Sequence, residues 1–320
     1  MKRENSFILD TWVANTFILL SITIALWSAY NLLQTGEKRT QPKVSVLVED
    51  SSNERWTSFR LGLDQAAAEY GADVTFITST GFSSVEEQEG LISQEAAGGT
   101  NAMILSPYDS EASEFVPGTM KVVFVETDGI RDSSAGTAAV IPSGRKMGEA
   151  LGEMMLEGKK ASPSVAVLAG NLRRYSEKEM LEGLTETVES AGGTTTVFET
   201  SGENLADAMA QAEKSDLVAV LEDPLLVQAA GIAVSEKLGG GILYGIGCSP
   251  SNVSYLERGV ISGMVVPNEF TMGYQSLAQL ARYISNDIPV MSDIEIGFTC
   301  VRTAEVHDPE NEKILFPEIR

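Results

Sequence analysis

Two patterns of hydrophobic and polar positions divide the chain. From Trp12 to Leu33 every residue is uncharged and most are apolar. From Lys43 onward, short apolar runs alternate with amphipathic stretches of helical length. The runs predict strands at Val44–Val48, Val74–Ile77, Ala102–Leu105, Val122–Val125 and Ala138–Ile141. A second series follows at Val165–Ala169, Thr195–Phe198, Leu217–Leu221, Leu243–Ile246 and Ile261–Val265, with a last strand at Asp293–Cys300. Helices are predicted between them. In the first half they are Trp56–Tyr70, Val85–Ala97 and a short one near Ser110–Phe115. In the second they are Met147–Glu157, Ser176–Ala191, Leu205–Ala212, Leu225–Leu238, Asn252–Glu257 and Thr271–Ile284.

Strands that alternate with helices build a parallel sheet covered by helices on both faces. Continuously apolar strands fit that burial. The rhythm occurs twice and has too many strands for one sheet, so an α/β fold of two doubly wound parallel-sheet lobes is expected. In such open sheets a ligand meets the carboxyl ends of the strands.

The charge-free run is long enough, at ~1.5 Å per residue, to cross the ~30 Å hydrocarbon core as a helix. Trp12, Trp27 and Tyr30 stand near its ends, where amphipathic rings favour the interface. A cleaved signal peptide is the alternative, but Tyr30-Asn31 is a poor cleavage context. The only cysteines are Cys248 and Cys300, so none follows the run to carry a lipid. The expectation is one uncleaved transmembrane helix over 12–34, a cytoplasmic tail over 1–11 and a polar linker over 35–42. All that follows would lie outside a bacterial cell membrane.

The formal net charge of −22 at pH 7 lies almost entirely after the run. A surface of that sign repels phosphate backbones and argues against nucleic acid as a partner. Two cysteines form no disulfide framework; Cys248 and Cys300 could pair or remain thiols. His307 is the single histidine, so His-based metal sites and Ser-His or Cys-His triads lack parts. Gly239-Gly240-Gly241 lies between a helix and a strand, which is the wrong order for a phosphate loop. No metal, cofactor or enzymatic activity is expected.

Several segments carry a resemblance. Val44–Val48, then Asn53-Glu54-Arg55-Trp56 and Gly62, form a strand, a loop and a helix start. Ile104-Leu105-Ser106-Pro107-Tyr108-Asp109-Ser110 ends a strand in a Pro-x-Asp-Ser turn. Glu182-Gly183-Leu184, Leu243-Tyr244-Gly245-Ile246-Gly247, Gly263–Pro267 and Met272-Gly273 follow in order. Together they resemble the type I periplasmic binding proteins, in the ribose/galactose-type sugar-binding branch. The resemblance implies two lobes joined by three crossings, near Ile141, Pro267 and Pro289. One lobe would hold 43–141 plus 268–288, the other 142–266 plus 290–320. Solute would bind between them by hinge closure.

The resemblance also implies which residues hold the solute. Family members clamp hydroxyls with Asp, Asn and Arg and stack the ring on aromatics. Asn53 and Trp56 keep the first-loop pattern, and Glu126 stands where an Asp often sits. Glu222-Asp223 replaces an Asn-Asp pair, and Gly247 replaces an Asp. Met180 stands where an arginine is usual, with Arg173 and Arg174 a few residues earlier. The candidate ligand-binding residues are therefore Asn53, Trp56, Glu126, Arg174, Glu222 and Asp223.

Other roles stay open for each. Asn53 could be only a helix cap, Trp56 a core residue, and Arg174 a surface ion-pair partner. The acids would suit hydroxyl or ammonium donors; anionic solutes would bind poorly unless Arg55 or Arg174 enters the site. The expected function is binding of a small polar, carbohydrate-like solute by a membrane-tethered receptor. An ABC-type permease or a sensor histidine kinase would read its closure. The alternative is a scaffold that has lost its solute and acts as a protein-interaction module.

Overall fold

Alternate side chains of a strand point to opposite faces, so a strand apolar at every position needs a core on each side. In β1 (Lys43–Leu47), Val44 and Val46 enter one buried cluster and Leu47 another. In β6 (Ser164–Ala169), Ala166 and Leu168 face one cluster and Val165 and Val167 the other. Two sheets, each sandwiched between two cores, follow from this.

The computed structural model describes residues 16, 18–29, 42–77, 81–100, 102–112, 120–128, 136–158, 162–236 and 242–317. The chain divides into two compact units, Met1–Gln41 and Pro42–Arg320. In the first, residues 18–29 form helix α1, and their side chains are exposed. Among the described residues no helix is long and apolar enough to cross a membrane. The rest of the expected span and linker, Thr16 and Pro42 apart, lies outside the described residues.

In the second unit the first sheet runs β11-β5-β4-β3-β1-β2 and is parallel throughout. Its strands are β1, β2 (Asp73–Phe76), β3 (Ala102–Leu105), β4 (Lys121–Val125), β5 (Thr137–Pro142) and β11 (Ile294–Ile296). The second sheet runs β12-β10-β9-β8-β6-β7 and is parallel except for the β10–β12 pair. It contains β6, β7 (Thr194–Glu199), β8 (Leu217–Val220), β9 (Leu243–Ile246), β10 (Gly263–Pro267) and β12 (Phe298–Arg302). The helices are α2 (Thr57–Tyr70), α3 (Val85–Ala97), α4 (Gly144–Leu156), α5 (Tyr175–Ser190), α6 (Leu205–Ala212), α7 (Asp223–Glu236), α8 (Pro250–Glu257), α9 (Glu269–Ile284) and α10 (Pro309–Leu315).

The chain passes between the sheets after Pro142, after Pro267 and at Gly297. The last differs from the expected crossing at Pro289 and from a lobe boundary that put 290–320 wholly in the second lobe. The single strand expected at Asp293–Cys300 is two strands in two sheets. Ile296 is buried in the first lobe's core beside β5, while Val301 is buried in the second lobe's core beside β10. Gly297 has no side chain to commit to either core, and its carbonyl accepts the Asn268 N–H at 3.0 Å, tying two crossings together. The short helix expected near Ser110–Phe115 falls largely outside the described residues.

Two helix pairs fix the loops that face the other lobe. A Cβ on Gly148 of α4 would sit 2.0 Å from the Met180 carbonyl oxygen of α5. A Cβ on Gly62 of α2 would sit 2.0 Å from the Phe270 carbonyl oxygen of α9. Backbone therefore meets backbone in both pairs, a contact only glycine permits. Each helix that follows a crossing, α4 or α9, is clamped to a helix that begins at a cleft loop.

Candidate functional site

The cleft is built at the carboxyl ends of the strands. After β1, Asn53 caps a short 3-10 turn over Glu54–Trp56, and its Oδ1 accepts the Arg55 N–H at 3.0 Å. The turn sends neighbouring side chains opposite ways. Trp56 is 1% exposed and packs edge-on to Phe59 in the first lobe's core, with ring centroids 5.3 Å apart. Arg55 points into the cleft, with its guanidinium carbon 4.4 Å from the Trp56 ring centroid. Trp56 is thus a platform for Arg55, and the ring face offered for stacking is covered.

Arg55 pairs with Glu126 and stands 3.6 Å from Glu269. Glu126, just past β4, holds a left-handed backbone, φ +65°. For a non-glycine residue that conformation is sparsely populated and clusters at functional sites. The Ser106 hydroxyl donates to its other carboxylate oxygen at 2.5 Å. From the second lobe comes Arg174, 5% exposed, which pairs with Glu49 of the first lobe and stands 3.9 Å from Glu222. Glu177 accepts the Gly170 and Asn171 N–H groups at 2.5 and 2.9 Å. Asp223 accepts the Cys248 and Ser249 N–H groups at 2.6 and 2.9 Å. A Cβ on Gly247 would lie 2.7 Å from the Asp223 carboxylate, which fills the space a side chain at 247 would need.

The lobes touch through more than ion pairs. Asn171 Nδ2 donates to the Tyr108 carbonyl at 2.6 Å. Helix α5 has no cap from its own Arg174; its first N–H groups, Tyr175 and Ser176, donate to Ser110 Oγ at 3.0 Å and Thr127 Oγ1 at 3.1 Å. A second-lobe helix is therefore capped by first-lobe hydroxyls, in the way a side-chain oxygen normally caps its own helix. The arrangement is a closed one.

Arg55, Glu126, Arg174 and Glu222 partition the cleft. Inside lies a cavity of about 70 Å³, whose lining includes Asp223 and Glu269 among Met147, Met180, Leu221, Ile246 and Met272. Outside lies a groove of about 750 Å³ reached by Asn53, Trp56, Tyr108, Asn171 and Gln228. All six sequence-derived candidates line one space or both. Arg55, Glu49, Glu177 and Glu269 complete the cluster. Glu269 carried the same positional signal as the others, the first turn after a strand's carboxyl end, but is the opening residue of a crossing helix.

Burial, reinforced by Glu177, pushes the Glu222 carboxyl up to about 8 against the pull of Arg174. Burial likewise pushes Glu269 up to about 8, with Glu126 and Asp223 adding to it and Arg55 opposing. Burial also raises Glu177, against Arg174 and its two N–H donors. For Glu126 burial is outweighed by Arg55, Arg174 and the Ser106 hydrogen bond, which together hold it below the ordinary range.

These shifts fix a sign. Raised carboxyls bind protons more tightly folded than unfolded, so their stabilisation is full below the ordinary 4.5 and lost as pH rises through about 8. The opposite contribution of Glu126 is lost only as pH falls below 4.5. Thermal unfolding should therefore show Tm falling from about pH 5 to about pH 8.5, a loss on the order of a few kcal/mol. A flat or rising Tm over that window would overturn the burial of Glu222 and Glu269.

The model of the periplasmic binding protein domain family matches residues 44–287. Solved structures share the fold at low identity. An ABC transporter solute binding protein from Agrobacterium vitis, with bound D-fucose, is 16% identical over 86% of this chain and 100% of its own, with a TM-score of 0.77. GanP, a glucose-galactose binding protein from Geobacillus stearothermophilus, is 19% identical over 84% of this chain and 100% of its own, with a TM-score of 0.73. A chain of the XylFII–LytSN complex is 18% identical over 83% of this chain and 99% of its own, with a TM-score of 0.72. No curated protein matches the sequence.

Proposed function

The chain belongs to the periplasmic binding protein domain family, and from this premise we propose that it is an extracytoplasmic receptor for a small polar, sugar-like solute. It performs no chemistry on that solute. The observation that carries the reading is a set of buried polar atoms without a hydrogen-bond partner among the described residues. Arg55 Nε and Arg174 Nε are donors; Glu269 Oε2 and Asp223 Oδ1 are acceptors. Buried polar groups are normally paired. A hydroxyl both donates and accepts, so a polyhydroxylated solute answers both kinds. The donors and acceptors come from both lobes, so such a solute bridges them and favours closure.

The charge-free run Trp12–Leu33 supports a tether to the membrane by a single helix, with the receptor outside. A membrane partner, a sensor histidine kinase or an ABC-type permease, reads the closed form. The likeness to a chain of the XylFII–LytSN complex fits a partnered receptor.

A second reading has one observation in its favour. The ion pair Arg174–Glu49 joins the two lobes across the cleft with the protein's own groups. A scaffold latched in this way would serve as a protein-interaction module without solute. A thermal-shift panel of pentoses, hexoses and small polar solutes on the detergent-extracted full chain separates the two. A solute at ~100 times its Kd should stabilise by about 2.7 kcal/mol, and Arg174→Gln should abolish the shift. No shift with any solute favours the module.

A further inference from the structure

We propose that the inner end of the cleft is a receptor for an ammonium group, so that the solute is an amine-bearing polyol of the amino-sugar class. The inference rests on the solute-binding reading and narrows it. Carboxylates outnumber cations in the cleft. Eight acids line the two spaces, Glu222, Asp223 and Glu269 among them, against the three cations Arg55, Arg173 and Arg174. A neutral sugar offers hydrogen bonds but does nothing to favour ionisation of the buried acids. An ammonium carries three donors and a positive charge, and charge-assisted hydrogen bonds are about twice as strong as neutral ones.

The position of the ammonium follows from the orphaned acceptors. Glu269 is 4% exposed and its Oε2 has no partner among the described residues; Asp223 is 6% exposed and its Oδ1 has none. Both line the inner cavity, one from each lobe. The inner cavity, about 70 Å³, is the smaller space and receives the ammonium end, while the groove of about 750 Å³ receives the rest of the solute. The partition between them carries Arg55 Nε and Arg174 Nε, donors suited to hydroxyl or ring oxygens. A bare metal ion fits less well: among the described residues no group of three or more His, Cys, Asp or Glu is placed to hold one.

Binding should also displace protons. Glu269 faces Arg55, Glu126, Asp223 and the Cys248 thiol; Glu222 faces Glu177, Arg174, Glu49 and Arg55. In the empty cleft burial keeps Glu222 and Glu269 largely protonated at neutral pH. An arriving ammonium favours their ionised forms, and the proton leaves to buffer.

The test is calorimetry on the detergent-extracted full chain near neutral pH, in two buffers of different ionisation enthalpy. Glucosamine, galactosamine and mannosamine are compared with glucose, galactose, mannose and the N-acetylated hexosamines. At least one hexosamine should bind about tenfold or more tighter than its neutral and N-acetylated counterparts, with net proton release. Glu269→Gln should remove that advantage, lowering hexosamine affinity about tenfold more than neutral-sugar affinity; Glu222→Gln serves as a second variant should the first not fold. Neutral sugars binding as tightly as amines would overturn the ammonium site and leave the solute receptor standing. A hexosamine advantage that survives both variants would also overturn it. Binding of no sugar of either kind would overturn both.

Discussion

Replacing Arg55 with methionine should destabilise the protein by about 3–5 kcal/mol, the usual cost of removing one partner from a buried ion pair. The Glu126 and Glu269 side chains are only 11% and 3% exposed, and Arg55 is the cation each stands against. Methionine keeps an apolar stem over Trp56, so the loss reports charge rather than packing. The effect should depend on pH. Arg55 is the first cause holding Glu126 down against burial, so without it the buried carboxylate is costly when ionised and cheap when protonated. Urea unfolding should show a larger loss at about pH 8 than at about pH 5. Equal losses at the two values, or a loss below about 1 kcal/mol, would mean that Arg55 is not the counter-charge.

The second large effect is expected where helices touch through glycine. Gly148→Val in α4 would drive side-chain atoms into the Met180 carbonyl oxygen, 2.0 Å from the first added carbon. No rotamer relieves a clash that begins at Cβ, so α4 and α5 must separate, at about 3 kcal/mol or more. The Arg174 loop opens α5, so the substitution should weaken solute binding as well. Gly90 in α3 is the contrasting position. It is exposed, with nothing within 4 Å of an added Cβ, and Gly90→Ala should stabilise by about 0.5–1 kcal/mol. Thermal or urea midpoints of the two variants decide this; a Gly148→Val protein as stable as the parent would rule out the close helix contact.

Elements with a strong apolar pattern were the most legible in the sequence. The strands Ala102–Leu105 and Leu243–Ile246 and the helix Leu205–Ala212 have the bounds that their apolar runs predict. The site was legible by position, because loops after strands must face the other lobe in a doubly wound sheet. Direction was harder to read. Asn53 caps a turn whose next residues could point either way, and only packing against Phe59 decides that Trp56 goes inward and Arg55 outward. The third crossing, expected near Pro289, was misplaced for a similar reason. The sequence pattern runs on from Ile294 to Val301 without a break, and which core takes Ile296 and which takes Val301 is a tertiary choice. Glu269 was missed because an acid in a helix's first turn already has a local explanation in the helix dipole.

The crossing at Gly297 bears on how the protein is made. Strand β5 ends at Pro142, yet its outer neighbour β11 is Ile294–Ile296, and α9, which packs against α2, ends at Ile284. A ribosome adding about 5–20 residues per second needs roughly 8 to 30 seconds to travel from one to the other. For that time the first lobe exists as an unfinished sheet with an open edge and a bare helix face. The whole second lobe up to β10 is synthesised and can collapse in the meantime. The half that leads in the sequence therefore waits for a strand made after most of the other half, and a nascent chain halted before Ile294 leaves the leading half without its outer strand.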